Sequence, residues 1–288
     1  MLTSTKSEIP SLPQYEFDIS GLFPYDQPRQ IQIDTINFAL DAFINKQKRF
    51  VIVEAATGTG KSAIGLTVAR YLHKHCREDE SSGFENGAYF LTTQKILQEQ
   101  YINDFGYPHG SMCQVMSSTN YKCRFHRKNT CAESLRLLKM EQDQASRFYR
   151  TCKYSCLYKE AKKDFIKASE SVTNFSYFLA ETYYAGQLKP RSLLVVDEAH
   201  NADDELCGFI EVSVSENFAR NILKIEMPEI KTQLAAIKWI KETYRPAVTA
   251  RIKHFEQMID SIKGLKESLE RGFLNIIKQY ELLDKHIC

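Results

Sequence analysis

The residues with the most chemistry in them lie between Phe50 and Ser62, in the stretch FVIVEAATGTGKS. Phe50-Val51-Ile52-Val53 is apolar and rich in β-branched residues, the pattern of a buried parallel strand. Thr57-Gly58-Thr59-Gly60-Lys61-Ser62 interrupts it, and Ala63 to Leu72 takes up helical spacing. A glycine-rich turn between strand and helix is a phosphate cradle: backbone N–H groups wrap the oxygens and the helix turns its positive end toward them. In that setting Lys61 reaches the β- and γ-phosphates and the Ser62 hydroxyl ligates Mg²⁺. Without the flanking elements the same residues would be a Gly/Thr-rich turn that binds nothing. A second apolar run, Leu193 to Val196, ends in Asp197-Glu198-Ala199-His200. Asp197 would hold Mg²⁺, Glu198 would orient and deprotonate an attacking water, and His200 would couple the nucleotide site to what packs above it. The two stretches together predict binding and hydrolysis of a nucleoside triphosphate, at the carboxyl edge of an α/β sheet.

The elements that must position these residues follow in order. Met1 to residue 22 is a polar lead, and an amphipathic helix is expected from Ile33 to Lys46, just after Arg29-x-x-Gln32. Ala88 to Leu91 reads as the next strand, then Thr92-Thr93-Gln94 and a helix from Ile96 to Phe105. Gly106 to Lys163 is different: core-strand runs disappear, and cysteines and basic residues are dense. Cys123, Cys131, Cys152 and Cys156 are spaced C-x7-C-x20-C-x3-C, among aromatic and basic residues that include Tyr121 and Arg124. That pattern fits an insertion too small for a core of its own and held by a metallocofactor. The pairs are looser than those of common zinc fingers, and spacing alone leaves zinc ahead of iron–sulfur. Cys76, Cys207 and Cys288 stand apart and read as small buried hydrophobes.

With 288 residues, 43% hydrophobic and 26% charged, the chain has material for one large core plus appendages. A net charge of +2 says little about partners, so any nucleic-acid groove would be a local patch. No apolar run spans a membrane and Met1 to Pro13 is polar, which gives a cytoplasmic expectation, or nuclear if the source is eukaryotic. Eight cysteines in such a compartment favour metal ligation over disulfides where they group.

Several of these stretches form one ordered set: Glu54-Ala55-Ala56-Thr57-Gly58-Thr59-Gly60-Lys61-Ser62, Asn120-Tyr121-x-Cys123, Cys156-x-Tyr158 and Asp197-Glu198-Ala199-His200-Asn201. The set resembles the XPD/DinG-like iron–sulfur helicases of superfamily 2. Two departures stand out: Leu157 replaces the proline of the usual C-P-Y close, and the middle cysteine pair is wider, with Cys113 the substitute for Cys131. The resemblance implies a RecA-like α/β domain, residues 1–106 with 166–206. It also implies a cluster domain at 107–165 and an incomplete arch-like helical region at 207–288. It implies a 4Fe–4S cluster on Cys123, Cys131, Cys152 and Cys156, and adenine reading by Gln32 with Arg29, Gln30 being second choice. Single-strand contacts at Thr93 and Gln94 and at Tyr121 and Arg124 follow from it too, as does 5′→3′ movement on single-stranded and fork DNA, driven by ATP with Mg²⁺. DNA repair is among the roles such enzymes serve; RNA as the track, and a zinc-stabilised P-loop binding module, remain rival readings. Leu234, Ile237, Trp239, Ile240 and Tyr244 are expected to face Ile252, Phe255, Met258, Ile259 and Ile262 in a helical hairpin. Nothing resembles the family's second RecA-like domain, so unwinding is expected to need one supplied from elsewhere, since loss of an arginine finger costs roughly 10³-fold or more.

Overall fold

The structure is a computed structural model that describes residues 16–76, 83–139, 141, 143–211 and 214–262. Residues 1–15 of the polar lead, residues 77–82, residues 263–288 of the region expected to be helical, and Cys288 with them, lie outside these. Contacts divide the chain into two units, residues 1–116 with 160–205 and residues 117–159 with 206–288.

The first unit is built on a parallel four-stranded sheet, ordered β2-β3-β1-β4, from β1 (Glu85–Thr92), β2 (Cys113–Gln114), β3 (Glu170–Asn174) and β4 (Arg191–Val196). Leu91 of β1 lies opposite Thr173 of β3 and Val196 of β4, so these three strands end nearly level at the carboxyl edge. Two helices come before the sheet in the chain, α1 (Gln30–Leu40) and α2 (Lys61–His75), and α3 (Lys95–Phe105) follows β1. Residues of α2 at spacings of three and four serve two clusters, as helical periodicity requires. Ala63, Leu66 and Ala69 pack with Phe90, Tyr101, Phe105 and Val172, while Ile64, Val68 and Leu72 pack with Ile36 and Leu40 of α1. Each large apolar side chain so buried contributes about 1.5–3 kcal/mol.

Two arginines tie elements of this unit together. Arg70 of α2 grips Glu170 at the start of β3 with two bonds, Nε to Oε1 at 2.6 Å and Nη2 to Oε2 at 3.1 Å. Arg191, buried at the start of β4, donates to the Ala88, Phe165 and Ile166 carbonyls and the Ser171 hydroxyl, and stacks 4.1 Å over the Tyr89 ring.

Phe50 to Val53 departs from expectation, for it forms no strand. Val51 packs inward, but Phe50 and Ile52 are 80% and 87% exposed. The run alternates as a strand would; among the described residues no ladder pairs with it and nothing covers its outer face. β4 forms as expected but is only half covered, Leu194 being exposed. Cys113–Gln114, within a stretch expected to lack strands, supplies the edge of the sheet.

In the second unit, α4 (Cys131–Leu138) starts from a capping box, Thr130 with Glu133, and α5 (Arg147–Tyr154) from a Ser146 cap; α6 (Leu157–Lys167) runs on into the first unit. α7 (Phe175–Ala180) belongs to the first unit; after α8 (Ala202–Ile210), three more α-helices follow among the described residues. Ser215 caps α9 (Glu216–Phe218), and α10 (Gln233–Trp239) and α11 (Arg245–Ile262) follow. Tyr244, Val248, Ile252 and Phe255 form a core with Leu223, and Trp239 and Met258 join it. Leu234, Ile237 and Ile240, expected in that contact, are exposed instead, because α10, a π-helical stretch at Ile240–Tyr244 and α11 follow one another without a break and no turn folds the two segments together. Among the described residues no helix is long and apolar enough to cross a membrane.

Candidate nucleotide site and cysteine cluster

The glycine-rich turn is held from behind by α1. Gly60 caps α2 in the left-handed region, φ 80°, where a side chain is strained. A Cβ there would meet Gln32 Nε2 at 2.4 Å. Gln32 sits in the first turn of α1, not ahead of a helix as the spacing predicts, and Arg29 is the cap residue. Its amide is used at both ends, accepting from Arg29 N at 2.8 Å and donating to the Thr59 carbonyl at 2.9 Å. Arg29 Nη2 donates to the Gly58 carbonyl at 2.9 Å. Gln30 is exposed and bonds Asp34. Within the loop, the Thr59 hydroxyl donates to the Ala56 carbonyl and Lys61 Nζ to the Ala55 carbonyl at 3.2 Å, while Thr57 is exposed.

The second half of the site comes from β4. Asp197 N donates to the Leu91 carbonyl at 2.9 Å, which extends the ladder by one residue and fixes where the carboxylate emerges. Asp197 Oδ1 accepts from Glu198 N at 3.0 Å. Burial pushes the Asp197 carboxyl above its usual range. Glu198 has φ 51°, uncommon for a residue with a side chain and costly to hold. Its Oε2 lies 3.3 Å from Nδ1 of His200, which is largely exposed. Between the halves stands Tyr101 of α3, 4% exposed, and burial and then the nearby charge of Asp197 raise its phenol above the usual range. Its helical spacing marks it as a core aromatic, so no motif singles it out.

Thr93 and Gln94 close the same edge, next in the chain after β1; Thr93 is half-buried, and Gln94 is the exposed cap residue of α3. The Thr92 hydroxyl donates to the Gln94 carbonyl at 3.2 Å.

In the second unit, Cys123, Cys131, Cys152 and Cys156 are buried and line one small cavity, with Lys122, Arg124 and Leu157 around it. Short elements present them: the Lys122–Thr130 bridge for Cys123, the start of α4 for Cys131, α5 for Cys152, and the turn into α6 for Cys156. Cys131 Sγ and Cys156 Sγ are 3.2 Å apart. Burial, then the Cys156 thiol and the other two, pushes the Cys131 thiol up to about 12. Burial and the Cys123 and Cys156 thiols push Cys152 up to about 11. Such thiols are neutral near pH 7 and pack as small hydrophobes. Among the described residues no three histidine, cysteine or acidic side chains are grouped in the arrangement of a bound metal ion. Cys113, the substitute candidate, lies in β2 of the first unit with its thiol 3.7 Å from the Ser111 carbonyl. Cys207 is exposed, against the expectation of a buried one, and Cys76 is partly exposed. Beside the cavity, the Tyr121 carbonyl accepts from Cys131 N at 2.7 Å and its ring meets Tyr158 at 5.7 Å; Arg124 is exposed.

The profile of the family described as type III restriction enzyme, res subunit, matches residues 26–240. The chain belongs to that family. This res-subunit motor is a superfamily 2 helicase-like, ATP-binding domain, and its parallel sheet agrees with a RecA-like core. The matched stretch opens just before Arg29 and so takes in both halves of the nucleotide site. It also spans the four cysteines. No curated protein matches the chain.

Proposed function

We propose that this motor is the N-terminal half of an ATP-dependent 5′→3′ DNA helicase that carries a 4Fe–4S cluster. The observation that carries the reading is the combination of Ser62, two residues past a left-handed glycine that opens α2, with Asp197, which emerges at the carboxyl edge of a parallel sheet in a helicase-like domain. Those two side chains offer hard oxygen donors of the kind Mg²⁺ takes, beside a turn too tight at Gly60 for any Cβ. Ser62 and Asp197 would hold the ion, which when bound neutralises charge on the β- and γ-phosphates. Lys61 would leave the Ala55 carbonyl for the phosphates. Glu198, backed by His200, would orient the attacking water and take its proton. Gln32 and Arg29 would set the loop from behind and meet the adenine edge, to which a glutamine amide donates and accepts at once. Thr93 and Gln94, at the amino end of α3, would bind single-strand phosphates, with Tyr121 and Arg124 gripping the strand beside the cysteines. A second RecA-like domain would complete the ATP site with an arginine.

The four buried thiols, with no acid among the cavity's lining residues, fit soft thiolate ligation of iron–sulfur or zinc and not of a hard cation. Cys123, Cys131, Cys152 and Cys156 would hold the cluster, which when bound would fasten the short elements that carry them into one wedge. The 3.2 Å between Cys131 and Cys156 favours a second reading, a single zinc ion in an otherwise identical motor. Anaerobic purification decides: iron with acid-labile sulfide and broad visible absorption supports the cluster, colourless protein with one zinc the rival. ATP hydrolysis stimulated by single-stranded DNA, and lost in Lys61→Ala, tests the motor; stimulation by RNA alone would overturn the DNA assignment.

A further inference from the structure

Ser134, Thr151 and Ser155 bring hydroxyls to the lining of the cysteine cavity. Two of these are engaged within their own helix: Thr151 Oγ1 donates to the Arg147 carbonyl at 2.8 Å, and Ser155 Oγ to the Thr151 carbonyl at 3.3 Å. Ser134 differs. It is 1% exposed, and its Oγ has no hydrogen-bond partner among the described residues. A helical serine can bond the carbonyl four residues back, but here the Thr130 carbonyl accepts from Ser134 N, at 3.1 Å, and not from the hydroxyl. Alanine would fill the same space without a polar atom to satisfy. On α4, Ser134 and Cys131 are the buried residues, one turn apart on a single face, and the Thr130–Glu133 capping box fixes the start of the helix that presents them.

A donor with nothing to bond is thus set in the wall of a cavity that four cysteines share. As thiols their sulfurs accept only weakly. Metal ligation takes the protons and leaves charged sulfurs, for which a hydroxyl is a much stronger partner. The main chain already donates to one of them, His126 N to Cys123 Sγ at 3.3 Å.

We infer that Ser134 is a positioning residue of the metal centre, its hydroxyl donating to a metal-bound cysteine sulfur. This rests on the reading above of Cys123, Cys131, Cys152 and Cys156 as metal ligands. It holds for iron–sulfur and zinc alike, since the acceptor is a thiolate in both. Groups that support ligands in this way change metal affinity by about 10–100-fold when removed.

The test is Ser134→Ala in the full chain, purified anaerobically with its metal and challenged with 4-(2-pyridylazo)resorcinol, a chelator that colours with iron and zinc. Metal should leave the variant about tenfold faster or more than the parent. Circular dichroism fixes a temperature at which every variant is folded, and release is read there. Thr151→Ala removes a lining hydroxyl that is already engaged, and its release should stay within about twofold of the parent. If the metal is iron, the reduction potential of Ser134→Ala should also fall, because a donor to sulfur favours the more negative reduced state. An unchanged release rate, an equal acceleration in Thr151→Ala, or an iron centre whose potential does not move overturns the inference. Metal analysis of the parent separates the two readings: if it carries neither iron nor zinc, the metal-centre reading itself has failed and the inference falls with it.

Discussion

Replacing Gly60 by alanine should damage the site by two separable routes. The left-handed backbone at Gly60 costs any L side chain about 1–2 kcal/mol. The new methyl, 2.4 Å from Gln32 Nε2, must also expel an amide that is free to move at its far end. Expulsion gives up the bonds to the Thr59 carbonyl and from Arg29 N, at about 0.5–1.5 kcal/mol each. Together the substitution should cost about 2–5 kcal/mol, lowering the melting temperature of the first unit by about 5–15 °C. Urea unfolding followed by far-ultraviolet circular dichroism measures the loss, while fluorescence of Trp239, the only tryptophan, follows the second unit by itself. The cycle with Gln32→Ala isolates the contact. In that background Gly60→Ala should cost only its backbone share, about 1–2 kcal/mol. Equal costs in both backgrounds, within about 0.5 kcal/mol, would refute the claim that α1 props the loop through Gln32.

Glu198→Gln should keep nucleotide affinity and lose about 10²–10⁴-fold in single-turnover hydrolysis; a matching loss of affinity would count against its role as base. Glu170→Ala strands the Arg70 guanidinium, which is only a fifth exposed, and should cost about 2–4 kcal/mol, seen as a fall of about 5–15 °C in melting temperature. Cys156→Ser should remove bound metal and make residues 117–159 readily cleaved by protease, while the first unit keeps its nucleotide affinity.

The parts of this architecture that were legible in the sequence are those whose signals are local. Glycines and Lys61 at fixed offsets, or an apolar run ending in Asp197-Glu198, carry their meaning within a few residues. Phe50 to Val53 shows the limit: its composition suits a strand, but a strand also needs a ladder partner, and that depends on distant chain. Cys113–Gln114 failed in the opposite way, joining the sheet through two residues without any apolar run. Gln32 was singled out by type, though its place inside α1, with both amide ends engaged, depends on the loop 27 residues further on. The four cysteines were visible as a spacing; that they line one cavity follows from turns and caps which spacing does not encode.

Arg191 bears on how this sheet assembles. A guanidinium taken from water needs its replacements at hand, and here they come from β1, β3 and the end of α6. Until all three are in place the arginine is better left outside, so β4 should dock last and in a single step. Slipped along its neighbour by one residue, the strand would carry the guanidinium to the opposite face and leave those oxygens bare. The cation thus works as a key that turns only in one alignment, and that alignment is the one which delivers Asp197 to the rim.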